Sequence, residues 1–116
     1  SPPLWVHEGL ADYMAASLLP YAWANRKYVN ATKEAIRERR EVKHVFKEVG
    51  LDSFDYGIAQ SFTRYLISTD RKKYIEFIAL MKQGKSDEEA LQEAYGFGRE
   101  GLVKRWRAAA AKALLR

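Results

Sequence analysis

Residues 3–13 read PLWVHEGLADY, and this stretch sets the fold class of the chain. Pro3 suits the first turn of a helix, where the missing N–H of proline costs nothing. Pro20 cannot continue a helix and marks its end. We therefore predict a first helix over residues 3–19.

Helical signals continue beyond this stretch. The aromatic-rich connector 21–30 is predicted to be irregular, with Asn30 or Thr32 capping the helix that follows. That second helix is placed over residues 31–49 and is stopped by Gly50. Its inward stripe at helical spacing comprises Val42, Val45, Phe46 and Val49.

Four further helices follow. We predict them over residues 54–68, 71–83, 86–95 and 99–115. Asp70 is predicted to cap the second of these, and Ser86 with Glu89 to form a capping box at the start of the third. No strand pattern is present, so the prediction is an all-α bundle of about five to six helices. Residues 1–116 form a single helical domain or subdomain.

Composition narrows the function classes. The chain has 116 residues, 47% of them hydrophobic, which is ample for one core. It has no cysteines, which excludes disulfides and thiolate metal sites. No apolar run approaches the roughly 20 residues of a membrane span.

The net charge of +5 comes mainly from the last helix. A basic helix can contact nucleic acid or anionic lipid. This one lacks the interleaved aromatic residues of single-strand binders, and cations near a helix C-terminus are favourable in themselves. We therefore expect a solvated basic face and no nucleic-acid site.

One metal motif is nearly present. His7-Glu8-x-x-Ala11 differs from the zinc-binding HExxH motif at its last position. That motif needs two imidazoles one helical turn apart, and alanine has no lone pair to give a metal. His7 also points about 100° away from Glu8 around a helix, so the two cannot share one metal. His7 and His44 are expected to be surface residues.

A different pattern fits the same stretch. It matches P-x-W-x-x-E-G-x-A-x-Y, in which many glutamate-zincins carry their third zinc ligand. The chain resembles the peptidase MA-like group of bacterial gluzincins. Residues 56–61, YGIAQS, resemble a second family segment, Y-x-x-A-Q-S. Residues 84–96 resemble a third, G-x-S-x-E-E-A-x-x-E-A-x-G, and Trp106 matches a terminal tryptophan.

The resemblance implies roles for several residues. Glu8 would be the zinc ligand of a His2Glu site; the alternative is an ordinary glutamate favoured by the helix dipole. Asp12, one turn further along, would accept the N–H of a zinc-bound histidine, or be a surface charge. Tyr56 would hydrogen-bond the oxyanion of the tetrahedral intermediate, or be a core tyrosine with a satisfied hydroxyl. Gln60 could line the same cleft, and Gly9 would let the ligand helix approach a neighbour.

The family places HExxH before the ligand helix, so we expect this chain to be the C-terminal part of a larger metallopeptidase domain. Zinc would belong to the intact parent, and none is expected in this part alone. Expected partners are the upstream HExxH segment, a protein or peptide substrate, and a second copy through an apolar face near Trp5, Glu8 and Tyr13. An extracytoplasmic or membrane-attached parent is consistent with the family. The alternative is a non-catalytic helical domain that binds an acidic partner or nucleic acid through its last helix.

Overall fold

The computed structural model describes residues 2–19 and 23–114. Within these residues it contains six α-helices and no strand, which confirms the predicted all-α class. The helices are α1 Leu4–Leu18, α2 Trp23–Arg37, α3 Ser53–Thr69, α4 Arg71–Lys82, α5 Asp87–Tyr95 and α6 Arg99–Leu114, with a short 3-10 helix at Lys43–Phe46. None of the described helices is long and apolar enough to cross a membrane.

The predicted boundaries of the second helix were wrong at both ends. Helix α2 begins at Trp23, inside the connector predicted to be irregular, and ends at Arg37. Thr32 is therefore an interior residue and not a cap, and its hydroxyl donates to the carbonyl of Tyr28 at 2.7 Å. The left-handed backbone of Arg39, with φ of 52°, prevents the helix from continuing.

The apolar residues after α2 were assigned to the wrong element. Val42 and Val45 are fully buried, but they flank or lie in the 3-10 helix, where a short turn presents them to the core. Val49, predicted to face inward, is 78% exposed. Spacing of i, i+3, i+4 and i+7 fits a 3-10 turn followed by a loop as well as a long helix, so periodicity alone misplaced this segment.

Capping explains most of the other boundaries. Ser86 and Glu89 form the predicted capping box, and the side chain of Asp70 accepts from the backbone N–H of Lys73 at 3.0 Å. A second box, Asp52 with Asp55, starts α3 and was not predicted. Pro3 precedes α1 in an extended conformation, so the helix begins one residue later than expected. The predicted stop at Pro20 and the predicted helix end at Leu115 lie outside the described residues.

Helix α3 is central, with α1 and α2 packed against it. Two glycines allow the close approach. A Cβ on Gly9 would come within 2.5 Å of the carbonyl oxygen of Ala59, and a Cβ on Gly57 would come within 2.6 Å of the Cβ of Ala31. The predicted role of Gly9 is thus confirmed: the absence of a side chain brings α1 onto α3.

Aromatic side chains fill the core beside these contacts. Trp5 of α1 meets Phe62 of α3 edge to face, with ring centroids 6.0 Å apart, and Phe62 meets Trp106 of α6 at 5.1 Å. Trp5 and Trp106 are 1% and 2% exposed. The ring of Phe62 therefore contacts Trp5 of α1 and Trp106 of α6, and it joins these two helices through the core.

Candidate functional site

Glu8 is the fifth residue of α1 and is half-buried. It therefore lies in the second turn, and the first turn contains no acidic residue. The interaction of a carboxylate with the helix dipole falls off beyond the first turn, so the dipole gives little reason for a glutamate here. Among the described residues its carboxylate has no hydrogen bond and no ion pair, which leaves its oxygens available to a ligand.

Asp12 lies one helical turn from Glu8 and is engaged in an ion pair. Its Oδ2 is 3.0 Å from the Nζ of Lys27 in α2, and the two side chains are 20% and 10% exposed. The pair joins α1 to α2. A pair this well covered is screened less by salt than one on the open surface.

Tyr56, in the first turns of α3, is reached by the same lysine. The Nζ of Lys27 lies 5.4 Å from the centroid of the Tyr56 ring, within the range of a cation–π contact. Lys27 thus contacts both Asp12 and Tyr56, two of the residues for which the family resemblance implies a role. Of the predicted site residues, Glu8 and Asp12 are adjacent on α1, and Lys27 links Asp12 to Tyr56.

Lys27 itself was not predicted. It falls in the connector that we expected to be irregular, so no helical face could be assigned to it. A helix beginning at Trp23 puts Lys27 one turn before Ala31, and both residues then pack against Gly57 of α3. The sequence signal that could have indicated this packing is a pair of small residues, Ala31 in α2 and Gly57 in α3, which allows the two helices to approach closely.

Gln60 lies beneath this group on α3. The preceding Ala59 faces α1 through Gly9, and the following Ser61 faces α2, where its hydroxyl is 2.9 Å from that of Thr32. Successive residues are about 100° apart, so Gln60 projects from the strip of α3 between the two helices. Its side chain is fully buried, and within the described residues neither amide atom has a hydrogen-bond partner.

The two histidines of the chain lie elsewhere. His7 is exposed on α1, as expected. His44 is also exposed, but its Nδ1 lies 2.8 Å from Oδ2 of the buried Asp55 at the start of α3. No group of three potential metal ligands is found in the described parts of the chain. Glu8 with Asp12 can therefore offer carboxylates to a metal, but histidine ligands would have to come from another segment.

The apolar face expected near Trp5, Glu8 and Tyr13 differs from the prediction in one respect. Trp5 is buried in the core and cannot contact a second copy. The exposed large apolar side chains in this region lie at the other end of α1 and at the residue after it: Met14, Leu18 and Leu19. Self-association through α1 stays a prediction, with this end as the candidate surface.

The basic residues of α6 are partly used inside the fold. Arg99 donates from Nε to the buried carboxylate of Asp87 at 3.0 Å. Arg107 donates to the backbone carbonyls of Ala35 and Arg40, at 3.1 and 2.6 Å. These two guanidinium groups hold α6 against α5 and against the end of α2, which accounts for part of the positive charge of this helix.

Comparison with known proteins finds one family for this chain. The family model described as the peptidase MA superfamily matches residues 1–112. No curated protein and no solved structure gives a significant match. Because the family match covers almost the whole chain, from the segment around Glu8 through Tyr56 to α6, this chain belongs to the peptidase MA superfamily.

Proposed function

We propose that this chain is the helical part of a zinc-dependent peptidase and that it contributes Glu8 as the third zinc ligand. The observation that supports the proposal most directly is the state of the Glu8 carboxylate. It is half-buried and lies one turn before Asp12 on α1, yet it has no partner among the described residues. A carboxylate held partly out of water without a counter-charge suits a cation supplied from outside the chain.

The donor set fits zinc in part. Carboxylate oxygen is a normal zinc ligand, and a catalytic site usually has three protein ligands. The other two would be the histidines of an HExxH helix upstream in the same polypeptide, packed against the open side of Glu8. When bound, zinc would polarise a water molecule and a peptide carbonyl of a protein or peptide substrate.

The remaining residues of the group have separate tasks. Asp12 contacts Lys27 through Oδ2. Its carboxylate would also accept the N–H of a ligand histidine and so fix the ring orientation. Tyr56 would donate its hydroxyl to the oxyanion that develops on the substrate carbonyl. Lys27 against the ring of Tyr56 limits the positions open to that side chain.

A non-catalytic role through α6 has less support. Arg99 and Arg107 are hydrogen-bonded within the fold, and this use explains them without an acidic partner. An HExxH motif upstream in the natural protein would favour the peptidase, and its absence would favour a binding domain.

The test is Glu8→Gln in the natural full-length protein, which keeps the size of the side chain and removes its charge. We expect zinc affinity to fall and hydrolysis of an unstructured protein substrate to be largely lost. Stability should change by less than about 1 kcal/mol, because Glu8 has no hydrogen bond or ion pair to lose within the described part of the chain. His7→Ala is the matched control, since His7 is exposed on the same helix. If Glu8→Gln keeps its zinc and activity while His7→Ala loses both, the proposed ligand is wrong.

A further inference from the structure

Lys27 contacts other helices through both its backbone carbonyl and its side-chain ammonium. Its carbonyl oxygen lies so close to Gly57 that a Cβ there would be 2.8 Å away, which fixes the backbone of α2 on α3. Its ammonium is 3.0 Å from Oδ2 of Asp12 on α1 and 5.4 Å from the ring centroid of Tyr56. One residue of α2 therefore contacts α3 through its backbone and α1 through its charge.

This ion pair differs from an ordinary surface pair. The side chains of Lys27 and Asp12 are 10% and 20% exposed, whereas those of the surface pair Lys85 and Glu93 are 42% and 51% exposed. Exposed pairs hold their side chains loosely and contribute little. A largely buried ammonium needs a counter-charge, because removing one partner of the pair leaves the other as an uncompensated buried charge. The orientation of the Asp12 carboxylate is accordingly set by Lys27.

The charge of Lys27 also bears on Glu8. Two carboxylates at i and i+4 of one helix repel each other. The ammonium of Lys27 lies against the Asp12 carboxylate and so offsets part of this repulsion. The contact is made to Oδ2 of Asp12.

We propose that Lys27 is a positioning residue of the zinc site, which acts by holding the carboxylate of Asp12 in the orientation that a zinc-bound histidine requires. This assignment rests on the proposed function. Lys27 does not touch the metal or the substrate; its effect passes through Asp12.

The experiment is a double-mutant cycle in the natural full-length protein, read out as zinc affinity by competition with a chromogenic chelator. The variants are Lys27→Met, Asp12→Asn and the double variant; methionine keeps the apolar stem without the charge. Lys72→Met, at an exposed lysine of α4, is the matched control. Circular dichroism of the metal-free proteins reports whether each variant folds, and Lys27→Gln replaces Lys27→Met if the latter does not.

We expect Lys27→Met to weaken zinc binding by about tenfold, as loss of an outer-shell partner does. Lys72→Met should bind zinc like the wild type. Because Lys27 acts through Asp12, the double variant should bind no more weakly than Asp12→Asn, within about threefold. A folded Lys27 variant with wild-type zinc affinity, or losses that multiply in the double variant, would overturn the assignment.

Glu8→Gln separates this result from the proposed function. If Glu8→Gln binds zinc like the wild type, the proposed function itself fails. If Glu8→Gln loses zinc while the Lys27 variant does not, the function stands and only the role of Lys27 is refuted.

Discussion

The indole Nε1 of Trp5 donates to Oδ2 of Asp87 at 2.8 Å, a buried hydrogen bond between residues 82 positions apart. The same carboxylate receives Arg99 at 3.0 Å from Nε and at 2.5 Å from Nη2, which makes the guanidinium contact bidentate. Trp5 is one turn before Glu8, so Asp87 fixes the start of the proposed ligand helix to α5 and α6.

Asp87→Asn should therefore destabilise the protein. The change keeps the shape of the side chain but removes the charge that Arg99 needs and disturbs the acceptor for Trp5. Because the side chain of Arg99 is 42% exposed, water compensates in part, and we expect a loss of about 1–3 kcal/mol in the free energy of unfolding. Urea denaturation measures it. The control is Glu93→Gln, at the exposed pair with Lys85, which should stay within about 0.5 kcal/mol of the wild type. Equal stability of the two variants would show that Asp87 is not an anchor.

Gly9→Ala tests the contact between α1 and α3. Helix propensity alone would make alanine more stable by about 1 kcal/mol. The added Cβ would meet the backbone oxygen of Ala59 at 2.5 Å, and backbone cannot move aside easily. We expect a net loss of about 1–3 kcal/mol. Ser17→Ala, at an exposed position of the same helix, gains propensity without this clash and should be neutral or slightly stabilised. The sign of the Gly9→Ala effect in thermal unfolding decides between packing and propensity.

The sequence predicted a close approach at Gly9 because a glycine inside a helix costs stability unless packing compensates. The glycine itself is a local signal, although it does not say which helix packs against it. The sequence predicted the helix starts at Ser86 and Asp70 from local signals too, since a cap depends on residues within one turn. It misplaced α2 because what makes residues 23–30 helical is their packing on α3, including Ala31 against Gly57. Local signals cannot report a partner 26 residues away.

The residues of the candidate site likewise fall into two groups, those that a local sequence pattern predicts and those that depend on how the helices pack. Glu8, Asp12 and Tyr56 could be selected from spacing and family resemblance, since each lies in a short contiguous pattern. Lys27 could not, because its place depends on how α1, α2 and α3 meet. The network of Trp5, Asp87 and Arg99 was missed for the same reason. Its members lie on three different helices, so no short sequence pattern contains them together.

Gln60→Met should stabilise the fold. The amide of Gln60 is fully buried and has no partner within the described residues, and a buried polar group without hydrogen bonds costs about 1–3 kcal/mol. Methionine has a similar shape and no amide to satisfy. We expect a gain of about 1 kcal/mol in urea unfolding. Gln92→Met, on the exposed face of α5, should change stability little. A clear loss on Gln60→Met would mean that the amide is hydrogen-bonded in solution, by a trapped water molecule or by another segment.

The protonated hydroxyl of Tyr74 contributes to the free energy of unfolding, and this contribution is lost at alkaline pH. Burial raises the pKa of Tyr74 from 10.0 to about 12, because the phenolate would lose its hydration inside the protein. The folded state therefore favours the protonated form. This contribution is complete below the pKa of the unfolded chain and is lost as the pH rises from about 10 to about 12.

The measurement compares the wild type with Tyr74→Phe, which has no group to titrate at this position. Between about pH 9 and about pH 11.5, the wild type should lose about 2 kcal/mol of unfolding free energy relative to the variant, following the size of the pKa shift. Lysines and the other tyrosines titrate in both proteins, so their effects largely cancel in the difference; the exception is Tyr95, whose raised pKa is due mainly to burial and in smaller part to Tyr74. Absorbance of the phenolate should show one tyrosine fewer ionising near pH 12 in the variant. If the stability difference between the two proteins is constant over this range, the hydroxyl of Tyr74 is solvated in the folded state and its burial is not the cause of any stability.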